Sequence, residues 1–392
     1  MGLFEYIFDY MYYMYNIVQN MGTSYSQTRI NCGHIVVVGG GYAGANLAYK
    51  LKDRADITII SDTPYFFHSL AALRASVEKG FAKKITIPLK DIFGDKLKVG
   101  KVTGIDTNTK TISLENGESV KYDVLVLATG SNGVLPCQTE PKTTPEEVHT
   151  VYDTYVDKVA AARNIVIVGG GPVGVEMAGE LGTDFKDKSI TLIHANDNLV
   201  SPHYTAKNRK DVQKILEQMG VTVILGDKVT NLEQLNKDGA TTVETSGGKQ
   251  IPTDLVIPCI GLTTRRDAYE SSLGDKMDSF GRLKVDEYFN VIGCEDVFAI
   301  GDCCNTDEPK MALNGMEHAK CIVANFANKT SGKPLKKYNA GFIMMGISIG
   351  RNVGFGQKGT SSTIPGFIIK MLKSRDLMTG KTWSDFGLKQ PK

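Results

Sequence analysis

From residue 34 onward, short continuously apolar, β-branched runs alternate with glycine turns and stretches of helical period. The runs fall at residues 34–38, 57–60, 124–127, 165–168, 190–193 and 255–257. They are apolar at every position rather than every second one. That predicts strands covered on both faces, as in a parallel sheet lying between helices. A unit of strand, GxGxxG, helix and strand occurs twice, with first glycines at Gly39 and Gly169. The expected fold class is therefore α/β, with two Rossmann-like dinucleotide-binding domains and a small C-terminal α+β domain. The expected layout is an N-terminal extension at 1–30, a first dinucleotide domain at 31–150 that resumes at 263–330, a second at 151–262, and the C-terminal domain at 331–392.

In the first unit the strand enters Gly39-Gly40-Gly41-Tyr42-Ala43-Gly44, followed by a helical stretch at 45–52, a second strand and Asp62. Gly39 permits a tight turn, Gly41 lets backbone N–H groups reach a pyrophosphate, and Gly44 lets the helix pack on the strand with its positive end facing the anion. Asp62 lies 18 residues beyond Gly44, where a carboxylate accepts from both hydroxyls of a ribose. The second unit repeats these mechanics in Gly169-Gly170-Gly171-Pro172-Val173-Gly174. After its second strand, His194 occupies the place of the carboxylate that selects a free ribose 2′-hydroxyl. With no negative charge to repel a 2′-phosphate, NADPH is expected to be accepted as well as NADH; a solvent-facing histidine is the alternative. Glu176, just past the second glycine turn, sets a carboxylate near a pyrophosphate end. It is a candidate for orienting a hydride donor, or else a helix-surface acid.

A length of 392 residues predicts two or three domains. Lys plus Arg (45) nearly balance Asp plus Glu (43), which excludes a disordered chain and argues against a general nucleic-acid binder. No apolar run reaches the ~18 residues of a membrane span. The seven cysteines, Cys32, Cys137, Cys259, Cys294, Cys303, Cys304 and Cys321, form no zinc-type cluster and no CxxC or CxxxxC pair. A reducing, cytosol-facing setting follows, and the dithiol by which flavin disulfide reductases pass electrons onward is missing. Adjacent Cys303 and Cys304 read as structural.

Two more segments complete a pattern. Residues 122–130 form an apolar strand ending in Ala128-Thr129-Gly130, and residues 296–302 another ending in Gly301-Asp302. With these four elements in order, the chain resembles the two-dinucleotide-binding-domain flavoproteins. The resemblance implies tight, non-covalent FAD at the first glycine loop, the ATG turn and the GD strand end, and NAD(P)H at the second loop. Asp302 is then expected to bond the ribityl chain; an N-cap of the helix beginning near Lys310 is the alternative. A closer similarity, from about Met21 to the C-terminus, is carried by residues 68–84 (HSLAALRASVEKGFAKK), 309–312 (PKMA) and 373–377 (KSRDL). These are similar to the ferroptosis suppressor protein family, relatives of the type II NADH dehydrogenases.

That similarity implies an enzyme that passes hydride from NADH or NADPH to the flavin and then two electrons to a membrane quinone of the ubiquinone or vitamin K type. The quinol would trap radicals and limit lipid peroxidation at the cytosolic face of membranes: plasma membrane, lipid droplet or mitochondrial outer membrane. It further implies FAD contacts from Arg74, Val102 and Met311, and catalytic roles for Glu176 and Lys373. A guanidinium at Arg74 suits a buried pyrophosphate, with a surface arginine as the alternative. The sequence departs from the family in its aromatic N-terminal extension, in Phe67, which leaves His68 without a second histidine, and in Met378, where an aromatic is expected. Competing expectations are a slowly turning nucleotide sensor and a reductase feeding an iron–sulfur protein.

Both termini suggest a lipid surface. Residues 1–20 carry aromatics but no Lys or Arg, unlike a secretory or mitochondrial leader, and Met21 to Ser26 matches the pattern that myristoylates the glycine after a lost Met, here Gly22. Residues 331–392 hold eleven Lys or Arg against two Asp or Glu. Within them Phe367, Ile368, Met371 and Leu372 are predicted to share one face of an amphipathic helix. That face would lie on an anionic membrane, pack on the FAD domain, or bind a second copy of the chain.

Overall fold

Strands made of Val, Ile and Leu pair side by side because each can bury both faces. The computed structural model describes residues 28–237, 241–341, 344–359 and 362–392. Its first sheet has five parallel strands in the order Val297–Ala299, Val124–Leu127, Ile35–Val38, Ile57–Ser61 and Leu97–Val99. Every residue of Ile35–Val38 and of Val124–Leu127 is buried. The chain leaves Ile35–Val38 toward one edge, then crosses to pair Val124–Leu127 on its other side. The crevice beyond the carboxyl end of Ile35–Val38 is thus a topological switch point. Helices Tyr42–Leu51 and Ala312–Thr330 pack against each other and the sheet.

The second sheet has four parallel strands in the order Val221–Ile224, Ser189–Ile193, Asn164–Val168 and Leu255–Pro258. Its first helix is Pro172–Asp184. The two crossings between the nucleotide units, Ser131–Asn132 and Thr263–Thr264, pair as a short antiparallel ribbon.

A third, antiparallel sheet, Met344–Ile349, Val353–Lys358 and Ser362–Ile364, docks on helix Pro172–Asp184. The approach is backbone to backbone: a Cβ added at Gly179 would lie 2.6 Å from the Gly350 nitrogen, so neither glycine can be exchanged without separating the elements. Beyond it, Trp383 Nε1 donates to the Lys84 carbonyl at 2.9 Å, and Phe386 packs edge-on against Tyr49 and Phe66. The C-terminal segment is thereby fastened to the first nucleotide unit.

The expected amphipathic helix is not regular. Gly366–Ile369 is α-helical but Lys370–Ser374 is a π-turn, which inserts a residue and rotates the residues after it. Ile368 and Ile369 are buried, Ile369 filling the hollows above Gly354 and Gly356, while Phe367 and Met371 are 56% and 62% exposed. The four apolar residues therefore do not share one face. Among the described residues no helix is long and apolar enough to cross a membrane.

Candidate functional site

Both glycine loops end their strand in the same way. Gly39 and Gly169 have φ of +118° and +110°, and a Cβ at Gly44 or Gly174 would lie 2.0 or 1.8 Å from the carbonyl oxygen of Gly39 or Gly169. The third element of each loop behaves oppositely, for a Cβ at Gly41 or Gly171 would meet nothing within 4 Å. Neither following helix has a side-chain N-cap bond. Each loop is thus an open cradle at a helix end whose first N–H groups lack a side-chain acceptor, which fits the pyrophosphate of a dinucleotide.

Around the first cradle the expected residues gather, some with unforeseen partners. Asp62 follows strand Ile57–Ser61, and its carboxylate is engaged by Arg265. The same Arg265 accepts from Thr129 Oγ1 through its carbonyl at 2.7 Å and donates its N–H to the Gly130 carbonyl at 3.0 Å. Arg265 therefore ties the Ala128-Thr129-Gly130 turn to the Asp62 carboxylate. Asp302 lies in the turn Gly301–Cys303 and accepts from Ser131 Oγ at 2.7 Å. It is not the helix N-cap, which is Met311, again without a side-chain cap bond. A pocket beside this turn is lined by Gly301, Asp302, Met311, Gly315 and His318. Tyr42 of the first loop donates its hydroxyl to His68 Nδ1 at 3.0 Å, because His68 Nε2 must donate to the Leu377 carbonyl at 2.8 Å. Burial presses the His68 pKa down to about 4, so the ring is neutral. Val102 is buried at the start of strand Val102–Asp106.

Arg74 is neither a surface arginine nor free for a pyrophosphate, which corrects the expectation. It is fully buried. Its Nε and Nη2 donate to both oxygens of Glu180 at 2.9 and 2.7 Å, and Nη1 and Nη2 donate to the Arg375 and Ser374 carbonyls, each at 2.9 Å. Four of its five N–H donors are so occupied. One helical turn before Glu180, Glu176 accepts from Lys373 Nζ at 2.6 Å and from the Ser348 N–H at 3.0 Å. Lys373 also donates to the Gly346 carbonyl at 2.8 Å. Glu176 is 15% exposed, so the helix-surface alternative falls. Two acids of one helix thus hold the π-turn Lys370–Ser374 and its neighbour, and the Lys373 ammonium rests on Glu176, two residues past the last glycine of the second loop.

At the second cradle the partly buried His194 accepts the Gly170 N–H on Nδ1 at 3.1 Å, which puts the ring proton on Nε2. Burial lowers its pKa. Cys303 and Cys304 are buried and donate to backbone carbonyls. Cys137 and Cys259, distant in sequence, pack in one apolar cluster, with the Cys259 carbonyl against Gly169 of the second loop. Gly22 lies outside the described residues.

Sequence reasoning missed Arg265, Glu180, Ser131, Ser348 and the Glu308–His318 pair. Only Glu180 left a local signal: an acid among apolar residues on the inward side of VGVEMAGEL, which demands a buried cation.

The pyridine nucleotide-disulphide oxidoreductase family matches residues 33–320. Ferroptosis suppressor protein 1 of Xenopus laevis is 40% identical over 363 residues, covering 91% of this chain and 97% of the relative. That of Homo sapiens is 37% identical over 369 residues, with the same coverage. Among solved structures, the sulfide:quinone oxidoreductase of Aquifex aeolicus has a TM-score of 0.73 at 20% identity, covering 92% of this chain and 93% of that one. NDH2 of Plasmodium falciparum in complex with NADH has a TM-score of 0.69 at 15% identity, covering 91% and 98%.

Proposed function

The chain belongs to the pyridine nucleotide-disulphide oxidoreductase family, within it to the relatives of ferroptosis suppressor protein 1, and we propose from this and from its geometry that it is an FAD-dependent NAD(P)H:quinone oxidoreductase. The observation that carries the proposal is the pair of open cradles on uncapped helix ends, with a glutamate–lysine contact on the helix that follows the second. FAD is assigned to residues 31–150 and 263–330, NAD(P)H to 151–262. Gly39, Gly40, Gly41, Tyr42, Ala43 and Gly44 receive the FAD pyrophosphate. Asp62 is assigned the ribose, Val102 and Ala128-Thr129-Gly130 the adenine half, and Asp302 with Met311 the flavin half. Gly169, Gly171 and Gly174 receive the NAD(P)H pyrophosphate, and His194 offers Nε2–H to a 2′-phosphate. When bound, FAD supplies the two-electron chemistry between nicotinamide and quinone.

The protein's part is binding, orientation and protons. Glu176 fixes Lys373 by a charge-assisted hydrogen bond, and the ammonium offers one of the two protons, one for each oxygen, that a quinone takes up with two electrons. No cysteine dithiol is required. The quinol so formed limits lipid peroxidation, and the setting is the cytosolic face of a membrane, reached by an acyl chain on Gly22 and by the basic C-terminal segment. Phe367 and Met371, exposed beside Lys370, supply the apolar anchor. Steady-state NADPH oxidation with a short-chain ubiquinone tests the activity. Turnover of roughly 1 per second or more is expected, and a rate below about 0.1 per second would favour a nucleotide sensor. Phe367→Ala with Met371→Ala should weaken binding to anionic vesicles by about tenfold or more, since each side chain buries ~1.5–3 kcal/mol of apolar surface.

A further inference from the structure

The Gly301–Asp302 turn is braced from behind by a buried acid–base pair that the reaction does not use. His318, 1% exposed on helix Ala312–Thr330, accepts the Gly301 N–H on Nδ1 at 3.0 Å, and its Nε2 lies 2.5 Å from Glu308 Oε1. A backbone N–H can only donate. Nδ1 is therefore unprotonated in this arrangement, and the ring's one proton sits on Nε2, aimed at the carboxylate. Glu308, 7% exposed, also accepts from the Tyr338 hydroxyl at 3.1 and 3.3 Å. The other polar groups facing the pair are the Cys304 thiol, 3.9 Å from Nδ1, and Lys310, whose charge acts on Glu308, while Glu317 acts on Tyr338. The Phe289 and Tyr338 rings close two sides, with centroids at 4.5 and 4.9 Å.

What the pair braces matters. Gly301 is left-handed at φ +75°, and a Cβ there would lie 3.0 Å from the Cβ of Ala43 in the first glycine loop. A displaced turn would therefore be felt in the loop as well as at Asp302. A neutral histidine alone would suffice to hold the Gly301 N–H, yet a carboxylate is buried behind it at a desolvation cost. An anion there favours an imidazolium, but an imidazolium carries hydrogen on Nδ1 and cannot accept from Gly301.

We propose that His318 and Glu308 are positioning residues that clamp the Gly301–Asp302 turn in its FAD-ready shape, and that one further proton taken up by the pair opens the clamp and weakens FAD binding. This rests on the assignment of that turn to FAD. Burial, the largest influence, depresses the His318 pKa, but the hydrogen bonds to Cys304 and Glu308 outweigh it and leave it above the ordinary value. Burial instead lowers His149 and His194, and presses His68 beside the first glycine loop down to about 4, so that ring stays neutral while the clamp titrates.

The test is the FAD dissociation constant of the full chain, read from the fluorescence of released FAD between about pH 8 and 5.5. The unsubstituted chain should lose about tenfold or more in affinity across that range, the equivalent of one proton with a pKa shifted by a unit. Glu308→Gln keeps a partner for Nε2–H but removes the anion. It should bind within about twofold of the parent at pH 8 and show a flat profile. His318→Gln, which can offer its amide oxygen to Gly301 and its N–H to Glu308 without titrating, should also be flat, and His318→Ala should bind about tenfold more weakly throughout. In the FAD-free chain with ¹⁵N-labelled histidine, His318 should show the Nε2–H tautomer at pH 8 and gain a second proton on acidification. A Glu308→Gln profile as steep as the parent's, or an Nδ1–H ring at pH 8, overturns the proposal. A chain that takes up no FAD at pH 8 overturns the assignment of the turn and the proposal with it, and is told apart by its lack of yellow colour.

Discussion

Arg74 and Glu180 offer a direct test of how the C-terminal segment is held. Both are essentially out of water and meet in a two-pronged ion pair. Removing one partner of such a pair leaves an uncompensated buried charge and costs about 3–5 kcal/mol. Arg74→Met also strips the Ser374 and Arg375 carbonyls of their donors, so the upper end of that range is expected. Trp383, the chain's one tryptophan, is held against Lys84 and reports the segment's release by its fluorescence in urea. The two single variants should differ in pH dependence. Burial already raises the pKa of Glu180, and Arg74 only partly offsets it; without Arg74 the rise is larger. A carboxyl whose folded pKa lies above its unfolded value gains a proton on folding. The Arg74→Met deficit is therefore full above the folded pKa and shrinks as pH falls through it toward ~4.3. Glu180→Gln leaves a guanidinium that cannot deprotonate and removes the parent's own proton uptake at this site, so its deficit does not shrink as pH falls. The double variant Arg74→Met, Glu180→Leu should regain most of the loss. Single variants within about 1 kcal/mol of the parent at pH 8 would refute the reasoning. So would a loss of FAD affinity confined to Arg74→Met, which would return Arg74 to the pyrophosphate.

Gly171→Ala should leave stability within ~0.5 kcal/mol, because its Cβ meets no protein atom, yet raise the NADH KM about tenfold by filling the cradle. Lys373→Met should lower kcat for quinone reduction by roughly 10- to 100-fold, the worth of a charge-assisted hydrogen bond of ~1.5–3 kcal/mol. NADH affinity should be preserved, as stopped-flow binding would show. The unsubstituted chain should use NADH and NADPH with kcat/KM values within a hundredfold of each other. His194→Asp should disfavour NADPH by on the order of 10- to 100-fold through charge repulsion, read from the ratio of the two kcat/KM values.

The two nucleotide units were legible because their signals are local: apolar runs that can only be doubly covered strands, and glycines at fixed offsets from them. Strand 124–127 coincides with the observed one, and the others differ by a residue or so at their ends. The ion pairs were not legible. Arg74 and Glu180 are 106 residues apart, and Asp62 and Arg265 are 203 apart, and no periodicity encodes such meetings. The resemblance pointed Arg74 at the cofactor, whereas its geometry points to Glu180. At 366–374 the helical pattern misled because a π-turn changes the angular step per residue. Ile368 and Ile369, in the α-helical turn before it, are buried, while Phe367 and Met371 face outward.

The central claim is that one chain holds both dinucleotides and moves electrons between them to a quinone. It is tested most directly by the anaerobic absorbance spectrum of the purified protein, followed through addition of NADPH and then of a short-chain ubiquinone. A yellow protein whose visible band bleaches with NADPH and returns with quinone is the expected result. A colourless protein that takes up no added FAD, or a band that NADPH leaves unchanged, would contradict it.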